Sequence, residues 1–301
     1  IPSKIETTSV ISIELKKNSG SSIQSNFLSF TLVVSKYIIM RYSMFLFFLV
    51  SFALVAQNPL KQLEESPRHQ EWVSIPVGEQ ELQSFLVYPE VSEKVPVVIL
   101  IHENRGLNDW ARSMADQIAA MGYIVLAPDL LSGKAPDGGG TSAFKNPDAA
   151  RTALYALDPD QITKGLQATL AYGKQIDAAN AKVAVIGFCW GGSQTFRFVS
   201  NEDQLAAAFV CYGTGPKNEE AYKTIKTPVY GFYGGNDNRV NATIEKSQKV
   251  MEGLNKVYIP VIYEGAGHGF FRAGEADDAS EANKKARKEG LERLEKLLST
   301  L

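Results

Sequence analysis

The sequence predicts an α/β fold: a mainly parallel central sheet with helices on both faces and an antiparallel pair at its N-terminal edge. Three observations predict it. Strand-like and helix-like segments alternate from residue 95 onward, and that order produces parallel pairing through helical crossovers. The run Val95-Pro96-Val97-Val98-Ile99-Leu100-Ile101 is nearly all apolar and β-branched, as expected of a strand covered on both faces. Ahead of the alternation, extended runs at 71–77 and 82–88 flank Gly78-Glu79-Gln80, a hairpin pattern.

Taken in order, 58–68 is polar with two prolines and reads as a linker into the hairpin. After the strand at 95–101, residues 110–121 carry apolar side chains at helical spacing, and Gly122 supplies the stop. Residues 123–127 form the next strand. Residues 132–147 hold Gly138-Gly139-Gly140 among Pro, Asp and Ser, and read as a long loop. A short helix at 148–157 and a longer one at 159–175 follow. Strand 182–187, helix 191–200, strand 204–212, strand 228–233, helix 242–254 and strand 257–263 complete the alternation. The last element, 280–298, is a charged amphipathic helix with Leu291, Leu294, Leu297 and Leu298. No internal repeat and no composition break after Ser66 divides the chain, so 57–301 is expected to be one domain.

The 301 residues are 45% hydrophobic and 21% charged, with a net charge of −2. These are values of a soluble globular protein, and they exclude the basic surface of a nucleic-acid binder. The N-terminus stands apart. Residues 1–39 are rich in Ser, Thr and Ile without a helical or strand period. Met40-Arg41-Tyr42-Ser43 then precedes 44–56, apolar except for Ser51 and ending in Ala56. A basic start, an apolar run and a small terminal residue make a signal peptide over 40–56. The run is shorter than the roughly 20 residues of a membrane span. On this reading Met40 is the natural start, 1–39 is upstream sequence, and the exported mature protein begins near Gln57. The alternative is an N-terminal anchor or a buried helix, with a cytoplasmic protein if no signal operates.

The chain has two cysteines. Cys211 ends an apolar strand and reads as a buried structural thiol. Cys189 stands in Gly187-Phe188-Cys189-Trp190-Gly191-Gly192, between a strand and a helix. That is a nucleophile-elbow pattern with Cys at the nucleophile's place. A sharp turn forces small residues on either side, which Gly187 and Gly191 supply, and the following helix N-terminus favours a thiolate. Asp237 follows the strand 228–233 in Gly234-Gly235-Asn236-Asp237. His268 follows 257–263 in Gly265-Ala266-Gly267-His268-Gly269, and it is the only one of three histidines so placed. The chain order Cys189, Asp237, His268 is nucleophile, acid, base.

His102-Glu103-Asn104-Arg105-Gly106-Leu107 follows the first parallel strand. Backbone N–H groups of Asn104 and Trp190 are expected to form an oxyanion hole, each worth about 3–4 kcal/mol by analogy with side-chain deletions. Glu103 beside a thiol either takes its proton or holds it neutral until substrate arrives; the alternative is a surface glutamate in a loop. An exported thiol needs shielding from oxidants, and the loop at 132–147 is the expected cover.

The strings His102–Leu107, Ala127-Pro128-Asp129-Leu130-Leu131, Gly187–Gly192 and His268-Gly269-Phe270 resemble the dienelactone hydrolase family over about residues 72–298. The resemblance implies an α/β-hydrolase fold and a Cys189, His268, Asp237 triad. It implies cleavage of lactones without metal or cofactor. It also implies that Glu103 accepts the thiol proton when substrate binds, and that Arg272 and Arg151, with Tyr155, hold a substrate carboxylate. Arg151 and Tyr155, four apart, would share one helix face. Arg105 departs from the family, which carries an aromatic residue there. The expected function is hydrolysis of small carboxylate-bearing esters or lactones, with no nucleic-acid partner. Alternatives are a general carboxylesterase or thioesterase, or a non-catalytic binding protein on a hydrolase scaffold.

Overall fold

The computed structural model describes residues 58–301. The signal-peptide reading of 40–56 and the upstream reading of 1–39 lie outside the described residues. Eight strands form one sheet: β1 Gln70–Val77, β2 Gln80–Val87, β3 Val95–Ile101, β4 Ile124–Pro128, β5 Ala179–Phe188, β6 Ala207–Cys211, β7 Val229–Gly234 and β8 Tyr258–Tyr263. Their spatial order is β1-β2-β4-β3-β5-β6-β7-β8. β1 pairs with β2, and β2 with β4, antiparallel; every other pairing is parallel. The expected antiparallel edge is therefore where the hairpin pattern put it.

The apolar run of β3 is explained by what covers it. Val97, Ile99 and Ile101 join one core cluster and Val98 and Leu100 the other, on the opposite face, and all five are fully buried. β4 alternates the same way, with Ile124 and Leu126 on one face and Val125 and Ala127 on the other. Fully burying one such aliphatic side chain contributes about 1.5–3 kcal/mol, so helices must cover both faces.

The helices are α1 Pro59–Glu64, α2 Asp109–Ala120, α3 Pro147–Tyr155, α4 Pro159–Gln175, α5 Trp190–Phe198, α6 Glu220–Lys223, α7 Asn238–Asn241, α8 Ile244–Gly253, α9 Phe270–Ala273 and α10 Glu281–Leu298. α1 corrects the linker reading of 58–68. Asn58 accepts a hydrogen bond from the Leu60 N–H at 3.1 Å, and Pro59 pre-sets the first helical turn. Leu63 is the one buried residue of α1, too little for a visible period. The segment is then clamped by Arg68, whose Nε and Nη2 donate to the two carboxylate oxygens of the buried Asp116 on α2 at 2.9 and 2.6 Å. Among the described residues no helix is long and apolar enough to cross a membrane.

The strand order reverses direction at β3 and β5: the chain leaves β3 for β4 on one side and returns to β5 on the other. Loops leaving the carboxyl ends of such neighbours diverge and open a crevice between them. Glu103 follows β3 and Cys189 follows β5.

Candidate active site

Cys189 sits between β5 and α5 with φ 56° and ψ −111°. This is a strained conformation for a residue with a Cβ. The turn is held by the Cys189 N–H donating to the Cys211 carbonyl at 3.0 Å and the Ser193 N–H donating to the Cys189 carbonyl at 3.2 Å. A Cβ on Gly187 would collide with the Gly191 carbonyl, and one on Gly191 with the carbonyls of Ile101 and His102. The two glycines are thus required by backbone approach on both sides of the turn.

His268 Nε2 lies 3.0 Å from Cys189 Sγ, and His268 Nδ1 lies 2.5 Å from Asp237 Oδ2. Asp237 is buried and immediately follows the β7 turn, where its other oxygen accepts the Val240 N–H at 3.4 Å. Gly269, at φ 76°, lets the chain turn directly into α9 after His268. The imidazole packs edge-on against Tyr212, with ring centroids 5.1 Å apart. Three residues far apart in sequence therefore form one hydrogen-bonded line.

Glu103 is buried beside this line. Its Oε2 accepts from Arg272 Nε at 2.8 Å, and its Oε1 from the buried Tyr212 hydroxyl at 3.3 Å. The adjacent His102 is also buried, bonds through Nδ1 to the Glu103 carbonyl at 2.8 Å, and stacks on Trp190 at 5.7 Å. Burial holds His102 below the usual imidazole range. The Asn104 N–H finds no acceptor among the described residues.

The sulfur's electrostatics follow from these neighbours. Burial first, and the Glu103 carboxylate second, push the Cys189 thiol up to about 11. The Trp190 N–H, Arg239 and Arg272 pull the other way without prevailing. These neighbours favour the neutral thiol, while His268 is close enough to accept its proton. Cys211 is fully buried and free, as expected of a structural thiol.

A cavity of about 460 Å³ opens at Cys189 and Trp190, with Leu154, Leu157 and Ile162 on its apolar wall. Tyr155 reaches this wall, but Arg151 does not. Arg151 instead lies over the Tyr155 ring, its Cζ 5.8 Å from the centroid, because i and i+4 meet on a helix surface whichever way that surface points. One expectation needs correction. None of 132–147 lines this cavity: Asp129 draws that loop elsewhere by accepting from the Thr141 N–H and hydroxyl, both at 2.7 Å. Arg105 is exposed and lines a different cleft, with Trp72 and Phe144. Sequence reasoning missed Tyr212, Lys217 and Arg239, all on the cavity wall. Of these only Arg239, two residues after Asp237, stood near a motif.

The family model of the dienelactone hydrolases matches residues 82–301. The chain is 27% identical over 210 residues to a Methylorubrum extorquens protein provisionally named a carboxymethylenebutenolidase, covering 66% of this chain and 71% of that one. It is 28% identical over 192 residues to the carboxymethylenebutenolidase of Pseudomonas putida, covering 62% and 80%. The crystal structure of a provisionally named dienelactone hydrolase from Klebsiella pneumoniae superposes with a TM-score of 0.68 at 22% identity, covering 78% of this chain and 99% of that one. The sheet order described above is thus that of an α/β-hydrolase, and the chain belongs to the dienelactone hydrolase family.

Proposed function

We propose that this hydrolase cleaves esters or lactones of small carboxylate-bearing substrates, with Cys189 as nucleophile. The observation that carries the reading is the line Cys189 Sγ, His268, Asp237, at 3.0 and 2.5 Å. It has the geometry of a nucleophile, a general base and the group that orients the base.

His268 Nε2 takes the thiol proton as Sγ attacks the carbonyl carbon. The N–H groups of Trp190 and Asn104 hold the oxyanion. The tetrahedral species collapses to a thioester as His268 returns its proton to the leaving oxygen. A water then gives a proton to His268 and attacks the thioester, and Cys189 leaves and recovers that proton. A lactone yields one hydroxy acid, because its leaving alcohol stays tethered. Asp237 keeps Nε2 aimed at the sulfur and stabilises the imidazolium.

Both oxygens of Glu103 are already engaged by Arg272 and Tyr212. Its role in this reading is to keep the resting thiol protonated. Tyr155 lines the substrate cavity. Cys189→Ala is expected to abolish hydrolysis of activated aryl esters while leaving the circular-dichroism spectrum unchanged. Full activity in that variant would sink the assignment.

A further inference from the structure

We infer that Arg239 and Lys217 form the anion-recognising end of the Cys189 cavity. The inference rests on the hydrolase reading above and names what that site selects.

Arg151 is poorly placed for the recognition role, and Arg272 is already paired with Glu103. Arg272 donates its Nε to Glu103 at 2.8 Å, so one of its donors is already committed to a carboxylate of the site. Arg151 lies outside the cavity. Arg239 and Lys217, by contrast, both line it, both are exposed, and neither makes an ion pair or side-chain hydrogen bond among the described residues. No carboxylate lines the same wall: the remaining lining groups are apolar, aromatic, or the neutral Ser193, Gln194 and Thr214.

Their positions are built. Arg239 belongs to the short turn that Asp237 caps, so the residue that orients His268 also sets the root of Arg239. Lys217 follows Pro216, whose carbonyl accepts from the buried Tyr222 hydroxyl at 3.0 Å. Three residues before Lys217, the Thr214 N–H donates to Ser193 Oγ on α5 at 2.9 Å. Both cations thus spring from elements tied to the nucleophile's turn, over a cavity with an apolar wall from Leu154, Leu157 and Ile162. The fitting substrate is an ester with a short apolar body ending in an anion. Its carbonyl sits at Cys189 and its anion at Arg239 and Lys217, leaving the Arg272–Glu103 pair intact.

The test compares para-nitrophenyl hydrogen glutarate with its neutral methyl ester on the wild-type chain, Arg239→Gln, Lys217→Met and the double variant. Exposed ion pairs contribute up to about 1 kcal/mol, which is about fivefold in kcat/KM. Each single variant is expected to lose about fivefold on the anionic ester, mostly through KM. The double variant should lose about 25-fold if the two act independently. The anionic-over-neutral preference should fall by these same factors, since the neutral ester brings no charge for a cation to meet while any change at the thiol acts on both esters. An anionic-over-neutral preference that survives the double variant, or is absent from the wild type, would overturn the inference while leaving the hydrolase reading standing. Failure of the wild type to cleave either ester would remove that reading, and this one with it.

Discussion

Replacing Glu103 by Gln tests the electrostatic account of the nucleophile without changing the shape of the site. The amide oxygen can still accept from Arg272 Nε, and the amide NH2 can still meet the Tyr212 hydroxyl. What disappears is a negative charge beside a buried sulfur. The thiol stands at about 11 against an ordinary 9.0, a rise of about 2, with burial the larger cause and Glu103 the second. A neighbouring charge moves a partly buried acid by about 1–3 units, so we expect Glu103→Gln to bring Cys189 down by about one. At pH 8 the thiolate fraction then rises about tenfold, while intrinsic nucleophilicity falls about threefold at a Brønsted slope near 0.5. The net gain in alkylation rate is about threefold. The assay is the pH dependence of iodoacetamide labelling followed by intact mass, with Cys189→Ala as the blank. Cys211 does not interfere, because it is fully buried. The wild-type rate should climb toward about pH 11 without a plateau near 8.5, and the variant's curve should lie about one unit lower. A curve that does not move, or moves up, would refute the claim that Glu103 holds the thiol neutral.

Two further outcomes follow from the same geometry. Asp237→Asn removes the carboxylate charge that fixes the tautomer and orientation of His268, and kcat for an activated ester should fall about 10²–10⁴-fold, the range of a misplaced general base, with little change in the urea midpoint. Gly191→Ala puts a methyl group against the carbonyls of Ile101 and His102. Overpacking of this kind costs about 1–3 kcal/mol, so the urea midpoint should drop and activity should fall as the turn is displaced.

Much of this molecule was legible in its sequence, because backbone constraints force the residues concerned. The elbow needs glycine at 187 and 191 since two carbonyl walls crowd those positions, and the pattern survives in any alignment-free reading. β3 and β4 announced themselves because a strand buried on both faces has no polar position to spare. Asp237 and His268 stood out because each lies in a glycine-rich turn after a strand, and the fold brings the two together. The rest depended on tertiary approach. α1 buries a single leucine and so carries no period. The i, i+4 spacing of Arg151 and Tyr155 put them on one helix face, but did not say which way that face points. Arg239 and Lys217 belong to different loops with no motif of their own, and only the folding of β6 and β7 side by side brings them to one cavity. The glycine-rich loop looked like a cover for Cys189, but the buried Asp129 holds it by Thr141, away from that cavity.

The central claim is that Cys189 carries the acyl group during turnover. Its most direct test is to mix the chain with an activated aryl ester, quench in acid within the first turnover, and map the acyl mass by peptide. The account predicts an acyl adduct on the peptide containing Cys189, formed in step with a stoichiometric burst of the phenol and absent from Cys189→Ala. A burst with the acyl group on another residue, or steady hydrolysis by Cys189→Ala, would contradict it.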